Sequence, residues 1–494
     1  MRERARRLSQ PLTEALPATE TPDPRRWLGL VLVLTGAFLT SFDFFVVNVA
    51  LPSMRADLGA RPAELQFVVA GYGLAFAVLL VTGGRLGDLY GRRLVFVWGM
   101  AGFTLASALC GLAVTPGQLI AARVLQGLTA AMMNPQVLAI IRVTFPDSER
   151  ARAIGWFGVT LGGASIAAQL IGGALIEWNP HGLTWRPIFL VNVPIGIVAA
   201  IAARLVLPES RSAGRHSLDP GGILIGTTAL LLLSVPLVEG REAGWPAWSL
   251  VCIALSVPVM AGFVLYEAAL QARGRVPLVN LRLFRDRAFS LGLVMAVTFF
   301  GGLASFFLTI TLFLQQGFGM GPLATGLTFV AFGVGFVAGS RLSSAVARRI
   351  GPWVINLGTA LMVTVLAAIV LLARAAHGMA LDGRWLAAVL VWYGIGQGLA
   401  LPSLVAVVVG SSRIPAADAG SASGVFSTVQ QIAFALGVAV IGGVFFGVLG
   451  AGASQADYDS ALSAALLCNM GLLSATFILA LWLPRAGAPG RAGV

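Results

Sequence analysis

Fourteen long apolar runs, most of about twenty residues or more, recur along the chain between short polar segments. A helix of about 20 apolar residues crosses the hydrocarbon of a bilayer and satisfies its own backbone hydrogen bonds there. Charged residues make up only 11% of the chain, whereas soluble domains carry about 25%. The runs therefore predict an all-α polytopic membrane protein with fourteen transmembrane helices.

The basic residues indicate how these helices are oriented. All 33 are arginines, and they gather in the tails and in alternate loops. Because cytoplasmic loops carry the excess of basic residues, the pattern predicts a cell (inner) membrane protein with both termini in the cytoplasm. No single segment concentrates the net charge of +12, so a nucleic-acid partner is not expected. The predicted spans are 28–51, 65–84, 94–114, 117–141, 153–176, 186–207, 219–238, 247–269, 288–315, 322–344, 352–374, 384–410, 421–449 and 460–483.

The chain also repeats internally. GSRLSSAVARR, which begins at Gly339, aligns without gaps with GGRLGDLYGRR, which begins at Gly83, and QGL at Gln126 recurs at Gln397. These matches predict two six-helix halves in a pseudo-two-fold arrangement with two inserted spans, and a substrate path between the halves. The expected organisation is an N-terminal tail (1–26), an N-terminal half (27–210), two inserted spans (211–275), a C-terminal half (276–484) and a C-terminal tail (485–494).

Two charged residues lie well inside predicted spans, where an ionisable side chain is costly and usually functional. Asp43 lies in span 1 and Arg123 in span 4. At about 1.5 Å per residue, their depths are roughly 12 and 9 Å below the outer face, so the side chains can meet if the helices adjoin. Apolar surroundings favour the neutral acid, and a nearby guanidinium favours the carboxylate. We interpret the pair as a proton-coupling site, with a permanent structural salt bridge as the alternative.

The remaining acidic residues of the spans lie near span ends. We interpret Glu177 and Glu267 as solvated at the membrane interface. Spans 7 and 8 interrupt the repeat and carry charges only at their ends, which predicts that this inserted pair is peripheral to transport.

Several kinds of chemistry are not expected of this chain. It has no Walker sequence, so ATP is not expected to drive it. Its three histidines fall in loops, and its three cysteines fall inside apolar runs without metal or redox spacing. No nucleophile has a partner histidine. The sequence therefore predicts neither an enzyme nor a metal or other cofactor.

The segment GGRLGDLYGRR resembles the signature loop between the second and third helices of the major facilitator superfamily. Segments that begin at Phe42, Leu119, Trp185 and Pro415 resemble motifs of its fourteen-helix drug:proton antiporters. The resemblance implies a secondary active transporter that works by alternating access, most simply proton-coupled efflux of amphipathic organic compounds or drugs. It also implies that the loop gates the conformational change through Gly84, Gly87, Asp88, Gly91, Arg92 and Arg93.

The fifth span departs from that family. The family usually has the motif G-P-x-x-G-G in this span. The corresponding run of this chain extends from Ala168 to Gly173, and Gln169 stands in place of the proline. This departure weakens an inference of antiport drawn from the motif alone. It leaves open an uptake symporter or uniporter of a small organic solute and, from another class, a non-transporting receptor or assembly partner.

Neutral polar residues within the spans are candidates for the substrate cavity. Hydrogen bonding between helices explains each of them equally well. The expected partners are a small-molecule substrate, protons and membrane lipid, and the expected state is a monomer. The candidates are Asn48, Tyr72, Gln126, Asn134, Gln169, Gln315, Tyr393, Gln397 and Gln430.

Overall fold

The computed structural model describes residues 24–211, 219–275, 277–375, 383–409, 419–450 and 454–483. Fourteen helices in these ranges are long and apolar enough to cross a membrane. The predicted tails lie outside the described residues, apart from residues 24–26. The helices are α1 (Arg26–Leu58), α2 (Pro62–Tyr90), α3 (Arg92–Gly111), α4 (Pro116–Thr144), α5 (Asp147–Trp178), α6 (Pro187–Val206, interrupted at Val191), α7 (Pro220–Glu242), α8 (Ala247–Ala272), α9 (Arg287–Gly317, with a terminal π-helical turn), α10 (Pro322–Ile350), α11 (Trp353–Ala375), α12 (Gly383–Val409), α13 (Ala419–Leu449) and α14 (Gln455–Leu481).

Local sequence explains where several helices begin and end. Proline occupies the first turn of α2, α4 and α10, where its missing N–H is not needed. Gly59 ends α1 with φ of 63°, and Gly91 separates α2 from α3 with φ of 115°, torsions that glycine adopts without strain. Most helices extend past the predicted apolar runs, because polar turns continue them beyond the hydrocarbon; α1, predicted at 28–51, reaches Leu58.

The helices form two six-helix halves, α1–α6 and α9–α14, in a pseudo-two-fold arrangement. Each main pairing of the first half recurs eight helices later. Helix α2 packs on α4 as α10 packs on α12, α1 packs on α5 as α9 packs on α13, and α3 packs on α6 as α11 packs on α14. The halves meet along two seams, α2 with α13 and α5 with α10, which the same symmetry exchanges. The predicted fold class is confirmed.

The α5–α10 seam is closed at one end and open at the other. Gly173, Gly162 and Gly155 lie on one stripe of α5. A Cβ added at Gly173 would lie 2.4 Å from the Pro322 carbonyl oxygen, and one at Gly162 would lie 3.2 Å from the Phe336 ring. A Cβ at Gly155 would meet no atom within 4 Å. The two helices therefore separate toward the N-terminal end of α5.

The open end belongs to the face of the bundle at which α1 begins and α2 ends. This face carries Arg92 and Arg93 of the first half and Arg348 and Arg349 of the second, and we call it the arginine-rich face. The other end, where α1 ends and α2 begins, is called the opposite face.

Two hydrogen bonds join the halves near the opposite face. The Leu323 N–H, in the first turn of α10, donates to Glu177 Oε2 of α5 at 3.1 Å. Gln315 Nε2 of α9 donates to the Val49 carbonyl of α1 at 3.0 Å. These contacts hold the bundle closed at the end where the α5–α10 seam is tight.

The inserted helices lie beside one seam and outside the two halves. Helix α7 packs on α8 and also on α2 and α13, the helices of one seam. Helix α8 packs mainly on α7 and is exposed along most of its length. The pair therefore covers the α2–α13 seam from the outside.

Candidate functional site

Asp43 and Arg123 are in contact inside the first half. Both side chains are 0% exposed, and Arg123 Nη1 donates to Asp43 Oδ2. Arg123 Nε donates to the Val68 carbonyl of α2 at 3.0 Å. The contact that helix depth predicted is therefore present, and it joins α1, α2 and α4. A buried charge needs such a partner, because an uncompensated one is strongly destabilising.

Amide and hydroxyl groups complete the shell of the Asp43 carboxylate. Gln126 Nε2 of α4 donates to Asp43 Oδ1 at 2.8 Å, and Asn192 Nδ2 of α6 donates to the same oxygen at 3.2 Å. Both amides also reach the Ser107 hydroxyl of α3, at 3.2 and 3.1 Å. The network thus includes side chains from α1, α3, α4 and α6. Gln126, predicted as a cavity residue, belongs to this network.

Tyr72 forms the wall of the ion pair on the α2 side. Its ring centroid lies 4.4 Å from Arg123 Cζ, a cation–π geometry. Its hydroxyl donates to the Thr40 carbonyl of α1 at 3.1 Å. Tyr72 is 2% exposed, so its ring is packed inside the protein beside the guanidinium.

The residues that follow Asp43 on α1 contact the second half. The Phe44 ring stacks on Phe434 of α13 with centroids 4.9 Å apart, and Phe45 lies 5.4 Å from Phe307 of α9. One turn of α1 therefore carries the buried carboxylate and, next to it in sequence, aromatic contacts between the halves.

Two predicted cavity residues meet at one carbonyl of α1. Asn48 Nδ2 and Gln169 Nε2 each donate to the Phe45 carbonyl at 3.2 Å. The replacement of proline by Gln169 therefore adds a hydrogen bond from α5 to α1, two residues after Asp43. The amide oxygens of Asn48 and Gln169 accept no hydrogen bond within the described part of the chain.

The other cavity candidates lie apart from the ion pair. Gln315 bonds to α1 near the opposite face. Tyr393 is 0% exposed and stacks on Phe306 at 4.2 Å, so it belongs to the packing of the second half. Gln397 is 4% exposed, whereas Asn134 and Gln430 are half-buried. The candidates thus fall into three groups: residues of the Asp43 network, residues that bond or pack between helices, and residues that remain half-buried.

Within the described residues, the second half has no equivalent ion pair. The repeat that pairs Gln126 with Gln397 pairs Arg123 with Gly394. A Cβ at Gly394 would lie 2.1 Å from the Phe332 carbonyl oxygen, so α10 and α12 are too close there for any side chain. In the part of the chain that the structure describes, the charged network therefore lies in the first half only.

The predicted gating loop is attached to the first half. Asp88 pairs with Arg92 at 2.9 Å. Arg93 pairs with Glu209, at 3.5 Å, and donates from Nη1 to the Leu207 carbonyl at 3.1 Å. The loop thus binds the segment that follows α6. The sequence did not reveal Glu209 as a partner of Arg93, because the two residues lie far apart in the chain.

The glycines of this segment allow α2 to approach α4. A Cβ at Gly87 would lie 1.9 Å from Gln136 Oε1, and one at Gly84 would lie 3.7 Å from Pro135. Gln136 Nε2 donates to the Gly83 carbonyl at 2.7 Å. The glycine side of the motif is therefore a helix-packing surface, and its charged side faces the end of α6.

Replacing Asp88 with asparagine is expected to slow transport several-fold without preventing insertion. The Asp88–Arg92 pair is partly exposed, and such pairs contribute about 0.2–1 kcal/mol to stability. The initial transport rate, normalised to the protein present in the membrane, measures the effect. Glu149→Gln is the matched control, because it breaks the similarly exposed Arg26–Glu149 pair at the same face. Equal rates in the two variants would remove the gating role of Asp88.

One interpretation of the sequence is wrong. Glu267 is not solvated at the interface, since its side chain is 0% exposed within the protein. Its Oε2 accepts a hydrogen bond from the Val279 N–H at 2.9 Å. Position near a span end did not reveal this burial, because the segment after α8 folds back over the carboxyl group.

Fourteen spanning helices, twelve of them in two pseudo-symmetric halves with an ion pair sealed inside one half, define a membrane transporter. The family model described as Major Facilitator Superfamily matches residues 33–438. The chain belongs to the major facilitator superfamily. The family and the relatives that match this chain are transporters and not enzymes.

Several relatives match most of the chain. The probable actinorhodin transporter of Streptomyces coelicolor is 39% identical over 442 residues, which are 89% of this chain and 76% of that protein. The tetracenomycin C resistance and export protein of Streptomyces glaucescens is 35% identical over 85% of this chain and 76% of its own. The multidrug resistance protein Stp of Mycobacterium tuberculosis is 32% identical over 84% and 75%.

Solved structures share the fold. A bacterial homologue of the human lysosomal transporter Spinster, inward-facing and unoccupied, has a TM-score of 0.67 and 17% identity over 94% of this chain and 98% of that chain. An auto-inhibited POT family peptide transporter has a TM-score of 0.65 and 15% identity over 92% and 95%.

Proposed function

We propose that this transporter exports amphipathic organic compounds in exchange for protons. Relatives that cover most of the chain are named as antibiotic and multidrug exporters or resistance proteins. The loops on the cytoplasmic side of a membrane protein carry the excess of arginines. The arginine-rich face therefore lies on the cytoplasmic side of the cell membrane. Both halves of the path belong to one chain, so a monomer is sufficient.

The observation that carries the proton-coupling proposal is the buried Asp43–Arg123 pair. Protonation of Asp43 removes one charge and leaves the Arg123 guanidinium paired only with neutral groups. The same network joins α1, α3, α4 and α6. A proton at Asp43 therefore alters how α1 packs within the first half, whereas a permanent structural salt bridge would stay unchanged throughout transport.

The position of α1 links this change to the arrangement of the halves. Phe44 and Phe45 contact α13 and α9 directly after Asp43. The interior opens at the arginine-rich face in this conformation, as the separation of α5 from α10 indicates. A shift of α1 on protonation then changes the aromatic contacts between the halves and favours opening at the opposite face, as alternating access requires.

The interior favours neutral aromatic compounds over cations. The Asp43 carboxylate is occupied by Arg123, Gln126 and Asn192. The other acidic residues of the described halves lie near the ends of helices or in the segments between them. A cationic substrate would therefore find no available carboxylate, whereas planar aromatic compounds can stack on phenylalanines and bond to neutral amides.

Transport into membrane vesicles with an acidic lumen tests the proposed exchange. Inverted vesicles present the cytoplasmic face outward, and neutral, cationic and anionic aromatic dyes are compared in vesicles with and without the protein. We expect the neutral dye to accumulate, the lumen to become less acidic as it does so, and a protonophore to abolish both effects. Equilibration without proton movement would indicate a uniporter, and movement of dye and protons in the same direction would indicate a symporter.

A further inference from the structure

Two acidic side chains are buried where the inserted pair joins the linker (residues 273–286) that leads into α9. Asp219, directly before α7, is 6% exposed, and Glu267, near the end of α8, is 0% exposed. One oxygen of each is satisfied. The Tyr266 hydroxyl and the Gly222 N–H donate to Asp219 Oδ1 at 2.8 and 3.0 Å. The Val279 N–H of the linker donates to Glu267 Oε2 at 2.9 Å.

The other oxygen of each carboxyl group lacks a donor. Asp219 Oδ2 and Glu267 Oε1 are buried and accept no hydrogen bond from any described residue. Both border the same small space beside Gly222, since a Cβ on that glycine would lie 2.5 Å from each oxygen. Two ionised carboxylates repel at such a separation, and an unpaired buried acceptor is costly. One proton removes both penalties, because one carboxyl group then donates to the other.

The charged and titratable groups around this pair come from three elements. Arg85 of α2 lies within electrostatic range of both carboxyl groups, and its Nη2 donates to the Pro277 carbonyl of the linker. Tyr266 belongs to α8 itself, and Arg275 belongs to the linker. Helix α13, which also packs on α7, contains no charged residue. Arg85 is therefore the cation that links the acidic pair to the first half.

We propose that Asp219 and Glu267 bind one proton between them, at a site separate from Asp43, and that its release draws Arg85 away from the linker. The protonated pair carries one negative charge, and the deprotonated pair carries two. Arg85 belongs to the GGRLGDLYGRR segment. The charge of the pair thus changes the attraction on Arg85. It thereby changes the position of the gating loop relative to the start of the second half. Protons at the arginine-rich face then bias the conformational equilibrium, and conformation reciprocally alters their binding.

Infrared difference spectroscopy of the full-length protein in nanodiscs tests this site, because a protonated carboxyl group has a carbonyl band that a carboxylate lacks. The Asp43→Asn background removes the other acid that is buried among the described residues. From acidic to alkaline buffer, we expect one protonated-carboxyl band to disappear. Glu267→Gln and Asp219→Asn each leave a single acid, so its band should disappear at a lower pH, whereas the control Glu239→Gln, at the other end of α7, should leave the titration unchanged.

Two further variants keep the test decisive if either acid proves necessary for folding. Gly222→Ala retains both acids but inserts a methyl group between their oxygens, so the band should disappear at a lower pH. Arg85→Gln removes the nearby cation, so the band should persist to a higher pH. The shared-proton site is overturned if no band titrates or if Gly222→Ala leaves the titration unchanged. The link to the gating loop is overturned if Arg85→Gln has no effect.

Discussion

Asp43→Asn is expected to abolish substrate accumulation driven by a pH gradient while leaving substrate binding in place. Asparagine imitates the protonated acid permanently, and its side-chain oxygen can still accept from Gln126 and Asn192. Arg123 then lacks a counter-charge in a fully buried site, and removing one partner of such a pair costs about 3–5 kcal/mol. We therefore expect a lower melting temperature as well, measured on purified protein alongside transport and ligand binding.

Three comparisons separate proton coupling from a structural salt bridge. Asp43→Glu keeps a titratable group and should retain part of the driven transport. Asp459→Asn, at a half-buried position near the start of α14, is the control for the loss of a carboxylate. The double variant Asp43→Asn with Arg123→Gln removes both buried charges, so it should recover stability without recovering coupling. If the double variant concentrates substrate in step with the pH gradient, the pair is structural only.

The free energy needed to switch the conformation can be compared with the free energy that the Asp43–Arg123 pair supplies. Moving an equilibrium from 1:99 to 99:1 requires about 5.5 kcal/mol of differential interaction. A buried ion pair supplies a large part of that energy when its charge changes. Changes in the aromatic contacts of Phe44 and Phe45 with the second half supply the rest of this free energy.

Gly83→Ala is expected to destabilise the protein more than any single change on the surface of the helices. A Cβ at this position would lie 2.0 Å from the Ala131 carbonyl oxygen and 2.8 Å from its carbon. These are backbone atoms, so α2 and α4 must move apart along their whole contact. Overpacking of this kind costs about 1–3 kcal/mol or more. The expected result is a lower melting temperature and a smaller yield of monodisperse protein.

The neighbouring glycine provides the control. A Cβ at Gly84 would lie 3.7 Å from the nearest atom, a side-chain carbon of Pro135. Alanine is favoured over glycine in a helix by about 0.5–1 kcal/mol, so Gly84→Ala should be neutral or slightly stabilising. Equal melting temperatures for Gly83→Ala and Gly84→Ala would show that the α2–α4 crossing tolerates a wider separation than the structure contains.

The helices and their order could be predicted from local sequence. Length and hydropathy decide whether a segment crosses a bilayer, because the hydrocarbon imposes the same condition on every span. The repeat then predicted the two halves, since similar sequences pack in similar ways. The similar depths of Asp43 and Arg123 predicted a contact on the condition that α1 and α4 adjoin, and the structure supplies that condition.

The roles of neutral polar residues could not be assigned in this way. Gln126 and Gln430 are the same residue type within apolar spans, yet Gln126 is buried and bonds to the Asp43 carboxylate, whereas Gln430 is half-buried. Ser107 and Asn192 complete the Asp43 network from α3 and α6. Which side of each helix faces a neighbour depends on rotation and close approach, and hydropathy does not report either.

The sequence by itself determined the number of helices, the twofold plan and the presence of one charged pair in the membrane, because each of these depends on the bilayer or on the chain's own repetition. Only the tertiary structure decided which groups surround that pair, that Glu209 binds the gating loop and that Asp219 and Glu267 face one another. Those contacts join segments far apart in the chain. Their formation depends on how closely the helices pack, and at glycines such as Gly83 two backbones approach so closely that a methyl group would not fit.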